Sequence, residues 1–293
     1  MDLSRYKAFL AATDHGSFTK AAEELHYTTS GVSQLVASLE NELGFALFTR
    51  MKKGVELTAE GKQMLPVIRG FVQQESSIFQ VAAEIRGLSV GEIVIASYSS
   101  ISTHWLPKVI KQFRTDYPNV RIKLMEGLRQ EIVQWLDESR ADVGFLTYGS
   151  DLTYDWIPLA EDRMLAVLPK DHPLAGAESY PLLRCAGENF IMPAFGRDDD
   201  VAALFERFQI EPHIVFSTLE NYAALTMIEN GLGMSIMNEL ITKKWQSDVV
   251  MLPLDPPQSI AFGIALPSMK NASPVLRKFL EYAVRFLKQP QTD

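Results

Sequence analysis

Along residues 29–43, "TSGVSQLVASLENEL", the apolar side chains Val32, Leu35, Val36, Leu39 and Leu43 recur at i, i+3, i+4, i+7 and i+11. That spacing puts them on one face of an α-helix. The opposite face reads Ser30, Ser33, Gln34, Ala37 and Asn41, all short and uncharged, and charge enters only at Glu40 and Glu42. A merely solvated face would carry Lys and Glu, which favour the helix and keep it soluble. Thr28 or Thr29 is placed to cap the first turn, and Gly44 to end the helix. So bare a front end lets another surface come close.

The same period recurs upstream. In "SFTKAAEELHY", Ser17 caps a predicted helix whose Phe18, Ala21, Ala22 and Leu25 share a face. His26 and Tyr27 leave only a short turn before the next helix, a helix-turn-helix spacing. Residues 3–14 predict a third helix packing through Leu3, Tyr6, Phe9, Leu10 and Thr13. Downstream, "FALFTRMKKGVELTAEG" reads as strand, basic turn with Gly54, and strand, which is a β-wing. From Thr58 to about Arg86 the pattern is helical again, with Leu65, Ile68, Val72, Phe79 and Ala82 flanked by Met64, Phe71, Ile78 and Ile85. At ~1.5 Å per residue, roughly 28 residues make a rod of about 42 Å, with a kink expected at Pro66. One small domain cannot bury such a stripe. The same helix of a second chain is the economical partner, and packing on the chain's own carboxyl-terminal half is the alternative.

Beyond Gly91 the period changes. Strands are predicted at 92–97, 120–125, 142–148, 164–169, 190–193, 213–217, 233–237 and 259–267, with helical runs such as "STHWLPKVIKQFRTDYP" between them. The alternation argues for α/β layers. Ligands in such sheets sit beyond the carboxyl ends of strands, near helix N-termini that favour negative charge. Four places qualify: Ser99 and Ser100 in "SYSSIST", Thr147 and Tyr148, Phe195 and Arg197 in "PAFGR", and Thr218 after "HIVFS". Capping or loop packing is the plain alternative at each.

Composition narrows the class. The 293 residues are 47% apolar, enough for two domains with real cores. No apolar run approaches the roughly 20 residues a bilayer requires. "MDLSRYKAFL" has charges where a secretory signal would be apolar, so a cytoplasmic, membrane-free protein is expected. The single Cys185 permits no internal disulfide and reads as a small buried hydrophobe. Net charge is −8, and residues 1–60 hold six bases against eight acids, so gross electrostatics do not announce a nucleic-acid binder. Distribution does, because three of those bases lie within "RMKKG". A recognition helix must seat its first turns in a groove about 12 Å wide. Thr28, Thr29, Ser30, Ser33 and Gln34 can hydrogen-bond there, while Arg50, Lys52 and Lys53 hold phosphates. An αα-hairpin with a polar face explains the helices alone, but not the basic wing.

These residues resemble the LysR-type transcriptional regulators. "SFTKAAEELHYTTSGVSQLVASLENELGFALFTR" follows that family's winged helix-turn-helix, including the S-x-x-x-A-A opening and the L-E-x-E-L-G close. "EDRMLAVLPKDHPLA" and "NGLGMSIMNE" are similar to its effector domain. The resemblance implies an α/β chain in three parts: an all-α winged helix-turn-helix (1–58), a linker and dimerisation helix (59–88), and a two-lobed, periplasmic-binding-protein-like effector domain (89–293). Lobe one would span about 91–162 and 267–293, and lobe two about 163–266. It also implies a double-stranded DNA operator, a small-molecule effector between the lobes, and a homodimer through the linker that assembles into homotetramers; the helix N-termini beyond the strand ends suit an anionic effector. Many members carry Gln-Pro at Thr29–Ser30 and Arg at Gln34; without that Arg a bidentate guanine reader is missing.

Other signals are weaker. "GLGMS" lacks a third glycine and runs from helix to strand, so Gly231 reads as a helix end. The five histidines lack metal spacing, and the acids of "RDDD" suit a helix start. Neither a cofactor nor a metal is expected, and no catalytic constellation appears. A solute-binding protein without a DNA role is the competing reading.

Overall fold

The computed structural model describes residues 3–86, 89–149, 152–194, 198–243 and 247–288. The amino-terminal unit packs α1 (Ser4–His15), α2 (Phe18–Leu25) and α3 (Thr29–Leu43) around Phe9, Ala12, Ala21, Val32, Val36 and Leu39. Ser17 caps α2, and Thr28 Oγ1 caps α3 by accepting from the Gly31 N–H at 3.0 Å. Gly44, at φ 84°, ends α3. The wing is β1 (Phe48–Met51) against β2 (Gly54–Leu57), antiparallel, with Lys52 and Lys53 alone in its loop. Gly54 is obligatory there. Its φ is 115°, and a Cβ would stand 2.2 Å from the Gly16 carbonyl oxygen.

The long helix α4 (Ala59–Ile85) runs unbroken through Pro66. Leu65 and Ile68 join the amino-terminal core. Arg69, nearly buried, pairs with Asp14, and Lys7 pairs with Glu75 at 2.8 Å. Further along, Gln73 donates to the Ser139 carbonyl at 3.1 Å, and Glu84 pairs with Lys278 at 3.1 Å. The helix therefore does touch its own carboxyl-terminal half, yet Ile78, Phe79 and Ile85 are 68, 66 and 82% exposed. Intramolecular packing leaves half of the predicted stripe uncovered.

The carboxyl-terminal half is built on one long sheet. Its strands are β3 (Gly91–Ser97), β4 (Val120–Glu126), β5 (Val143–Thr147), β6 (Asp155–Pro169), β7 (Tyr180–Pro181), β10 (Ser235–Asn238), β11 (Val249–Asp255) and β12 (Ser259–Leu266). The order is β4-β3-β5-β12-β6-β11-β7, with β10 also on β6. A separate parallel pair joins β8 (Asn189–Met192) to β9 (His213–Ser217). The helices are α5 (Ser99–His104), α6 (Leu106–Asp116), α7 (Arg129–Asp137), α8 (Asp199–Phe208), α9 (Asn221–Glu229), α10 (Glu239–Thr242) and α11 (Pro274–Leu287).

β6 makes the two lobes one structure. Its first half pairs with β12, and its second half with β10 and β11. The predicted strand 164–169 is only that second half. β12 pairs with β5 and early β6, so it lies in the first lobe's sheet, whereas the bounds implied by the resemblance put these residues in lobe two. One core gathers Ile95, Phe113, Phe145, Phe262 and Phe279, and another Tyr180, Phe190, Leu204, Phe205 and Ile236. Cys185 is buried in the latter, and burial pushes its thiol up to about 12, which makes it unreactive.

Candidate nucleic-acid interface and effector cleft

The exposed end of α3 is assembled from local chemistry. Thr28, Thr29, Ser30 and Gln34 are exposed and Ser33 is half-buried. The Thr28 and Ser30 hydroxyls lie 3.1 Å apart. Arg50, from the wing, donates to Ser33 Oγ at 3.2 Å, so the basic hairpin and the bare helix form one surface. Lys52 and Lys53 extend it as exposed cations. Glu40 fixes the angle between the parts: its Oε1 accepts from the backbone N–H of Leu47 at 2.6 Å and of Phe48 at 3.1 Å. A carboxylate taking two backbone donors in the crook between helix and strand is a positioning device. Sequence pattern shows Glu40 only as a charge near the helix end.

A cavity of about 370 Å³ opens between the lobes. Ser99 and Ser100 of the first lobe line it, as expected from their place after β3. Thr147 does not reach it directly. That side chain is buried and bonds Tyr98 Oη at 3.0 Å, and Tyr98 forms the wall. Tyr148 turns to the surface against Trp156, 5.4 Å between ring centroids, and Thr218 does not line the cavity. Phe195 and Arg197 lie outside the described residues.

The remaining wall is one that sequence reasoning missed. Glu126 ends β4 and Arg129 begins α7 after it, the same kind of strand end that marked Ser99, and they face Asp198, Asp199, Asp200 and Glu220 of the second lobe. Asp198 is indeed the N-cap of α8, accepting from the Val201 N–H at 3.0 Å. The acids at that helix start also border the cleft, which one-dimensional pattern does not reveal. Asp200 titrates at about 7, raised first by burial and then by the negative charge of Asp198, while the Arg129 guanidinium opposes the shift. Asn238 is held toward the cleft by Asp162 of β6, which accepts from its amide at 2.6 Å and from the Leu240 N–H at 2.8 Å.

A winged helix-turn-helix joined by a long helix to a two-lobed domain with a ligand-sized cleft defines a class: transcriptional regulators that answer to small molecules. Comparison with known proteins narrows the class. Residues 3–62 match the family described as "Bacterial regulatory helix-turn-helix protein, lysR family", and residues 86–288 match "LysR substrate binding domain". The chain belongs to the LysR family of transcriptional regulators. Among its relatives is the uncharacterized HTH-type transcriptional regulator YvbU of Bacillus subtilis, 33% identical over 286 residues, covering 97% of this chain and 98% of that protein. The fold is similar to full-length OxyR C199D of Pseudomonas aeruginosa, with TM-score 0.80 and 19% identity over 99% of this chain and 96% of that one. Full-length CbnR complexed with its target DNA is also similar, with TM-score 0.65 and 23% identity over 97% and 99%. No helix among the described residues is long and apolar enough to cross a membrane.

Proposed function

We propose that this regulator binds its operator through α3 and the wing and is switched by a small molecule held between its lobes. The observation that carries the reading is the joined surface of α3 and wing, where Arg50 bridges to Ser33 beside an exposed Thr28, Thr29, Ser30 and Gln34. In a major groove those hydroxyl and amide groups meet base edges, and Arg50, Lys52 and Lys53 meet phosphates. CbnR, a protein of similar fold, is known in complex with its target DNA, which supports the same use of the fold here. Domains divide at 1–58, 59–88 and 89–293.

The exposed Ile78, Phe79 and Ile85 favour a homodimer through α4, which sets two recognition helices on one duplex, and the dimers pair into tetramers. Ser99 and Ser100 contact the effector, Tyr98 and Asn238 wall it, and Thr147 acts by holding Tyr98. The molecule works in the cytoplasm and performs no catalysis. An effector switches it only by favouring one arrangement of the lobes over another. DNase footprinting of the region upstream of its own gene tests this, with and without a ligand found by thermal shift. Protection lost on Arg50→Glu with Lys53→Glu supports the interface, and unchanged protection refutes it. A footprint identical at saturating ligand refutes the switch.

A further inference from the structure

The interlobe cleft has a charge that its place in the fold does not require. Its described lining carries six carboxylates, Glu126, Glu131, Asp198, Asp199, Asp200 and Glu220, against one guanidinium, Arg129. The acids come from three separate stretches of chain on both sides of the cleft, so no single helix start explains them. Capping accounts for Glu131, which accepts from the Leu128 N–H at 2.8 Å, and for Asp198.

Like charges gathered in a partly dry cleft repel, and the cost is largest where water is fewest. Asp200 records that cost, being held at about 7 by burial and by Asp198. A ligand that brings opposite charge removes it. Apolar side chains are interleaved with the acids: Leu128, Ala194, Leu219, Ile241 and Ile260 all border the same space. About 370 Å³ is the size of a small-molecule site. Among the described residues no group of three or more His, Cys, Asp or Glu is arranged to hold a metal ion. Carbon surface beside carboxylates suits an organic cation better than a bare ion.

Resting on the cleft being the effector site, we infer that the effector is an organic cation, an amine or guanidine on a short carbon chain, whose charged nitrogen lies between Asp199–Asp200 and Glu126. This turns round the anionic ligand expected from strand ends alone. The amine shares the cleft with Ser99 and Ser100 as neutral hydrogen-bond partners. The groups facing Asp200 are Asp198 and Asp199 on its own segment, Arg129 of α7, Thr147 of β5, and Tyr98 just before α5. A cation arriving beside Asp200 lowers its proton affinity, so the minority of Asp200 still protonated at pH 7.5 ionises and a fraction of a proton leaves as the ligand binds.

The test uses probes of matched length and different charge. 1,5-Diaminopentane and agmatine are compared with glutarate, 5-aminopentanoate and 1,5-pentanediol by thermal shift on the full chain at pH 7.5. A cation is expected to raise the melting temperature by about 4 °C or more at saturation. Glutarate and the diol should leave it unmoved. Calorimetry in two buffers of different ionisation heat should show proton release with the cation. Asp199→Asn with Asp200→Asn should abolish the cation's effect and raise the ligand-free melting temperature, which also shows that the variant folds. If no cation shifts melting more than its anionic or neutral counterpart, the charge assignment is wrong. The cleft itself is judged separately. Whichever probe binds, a shift that survives Ser100→Trp places that probe elsewhere and overturns the reading on which this inference rests.

Discussion

Glu40→Ala isolates the device that sets the wing against the recognition helix. The carboxylate accepts the backbone N–H groups of Leu47 and Phe48, at 2.6 and 3.1 Å, and both residues are buried. Hydrogen bonds to a charged acceptor are each worth about 1.5–3 kcal/mol, and a buried donor left without a partner loses most of that. Part of the loss is recovered by water at the half-exposed crook, so about 2–4 kcal/mol is expected for the pair. In a unit of roughly 60 residues that lowers melting by more than about 8 °C. All four tryptophans, Trp105, Trp135, Trp156 and Trp245, lie in the carboxyl-terminal half. Tryptophan fluorescence during urea unfolding therefore follows the effector domain, while far-ultraviolet dichroism follows both. The variant should bring the dichroism transition earlier and leave fluorescence in place. Glu40→Gln keeps a carbonyl acceptor and should recover about half of the loss. Operator affinity should fall about tenfold or more without change in its salt dependence, because every phosphate-binding cation is kept. Charge counting alone forecasts the reverse, since deleting an acid beside DNA tightens binding. Tighter binding, or a destabilisation below about 0.5 kcal/mol, would refute the positioning role.

The wing, the long helix and the cleft each yield a further expected outcome. Lys52→Ala or Lys53→Ala should flatten the slope of log affinity against log salt by about 1 for each phosphate no longer neutralised, and leave sequence preference unaltered, measured by fluorescence anisotropy from about 50 to 200 mM salt. Ile78→Glu with Phe79→Glu should break the pairing through α4 and halve the mass of the assembly in light scattering, because two charges would enter the uncovered face of α4. Asp200 keeps its proton in the folded chain up to about pH 7, whereas in the unfolded chain it is released at about pH 4. Its contribution is therefore fully present below about pH 4 and lost as pH rises through that window, so the melting-temperature gain of Asp200→Asn over the native chain should grow between about pH 4 and pH 7 and level off above it.

Legibility depends on how far apart the cooperating residues lie. The helices α2 and α3, their caps Ser17 and Thr28, and the two-strand wing are readable because period, cap and turn are local. The long helix is readable as a stripe, but its division is not. Leu65 and Ile68 go inward to the first domain while Ile78 and Phe79 stay outside, a distinction that period alone does not carry. The first half of β6 escapes the pattern, since "DWIPLAEDR" mixes polar and apolar positions without strict alternation, and β11, "VVMLPLD", escapes it because it lacks alternation and has Pro253 inside it. Their pairing with β12 and with the second-lobe strands decides them instead. At the site, the strand-end rule finds Ser99 and Ser100, and the same rule applied to β4 would have found Glu126 and Arg129. Tyr148 satisfies the rule and still turns away to Trp156.

Local order in the chain determined what is periodic: a slender helix with a polar front, a basic hairpin beside it, a long amphipathic rod, and an alternating α/β half. Such features follow from neighbours within a few positions, where backbone geometry alone places side chains on a common face. Tertiary structure decided everything that needs distant residues to meet. Glu40 became a clamp only when the wing folded against α3, and Arg50 a bridge only on reaching Ser33. The acids of two lobes became one negative cleft only because β6 and β12 carry the chain across and back. Coulomb repulsion acts through space rather than along sequence, so the charge of that cavity could be seen only once its walls were closed.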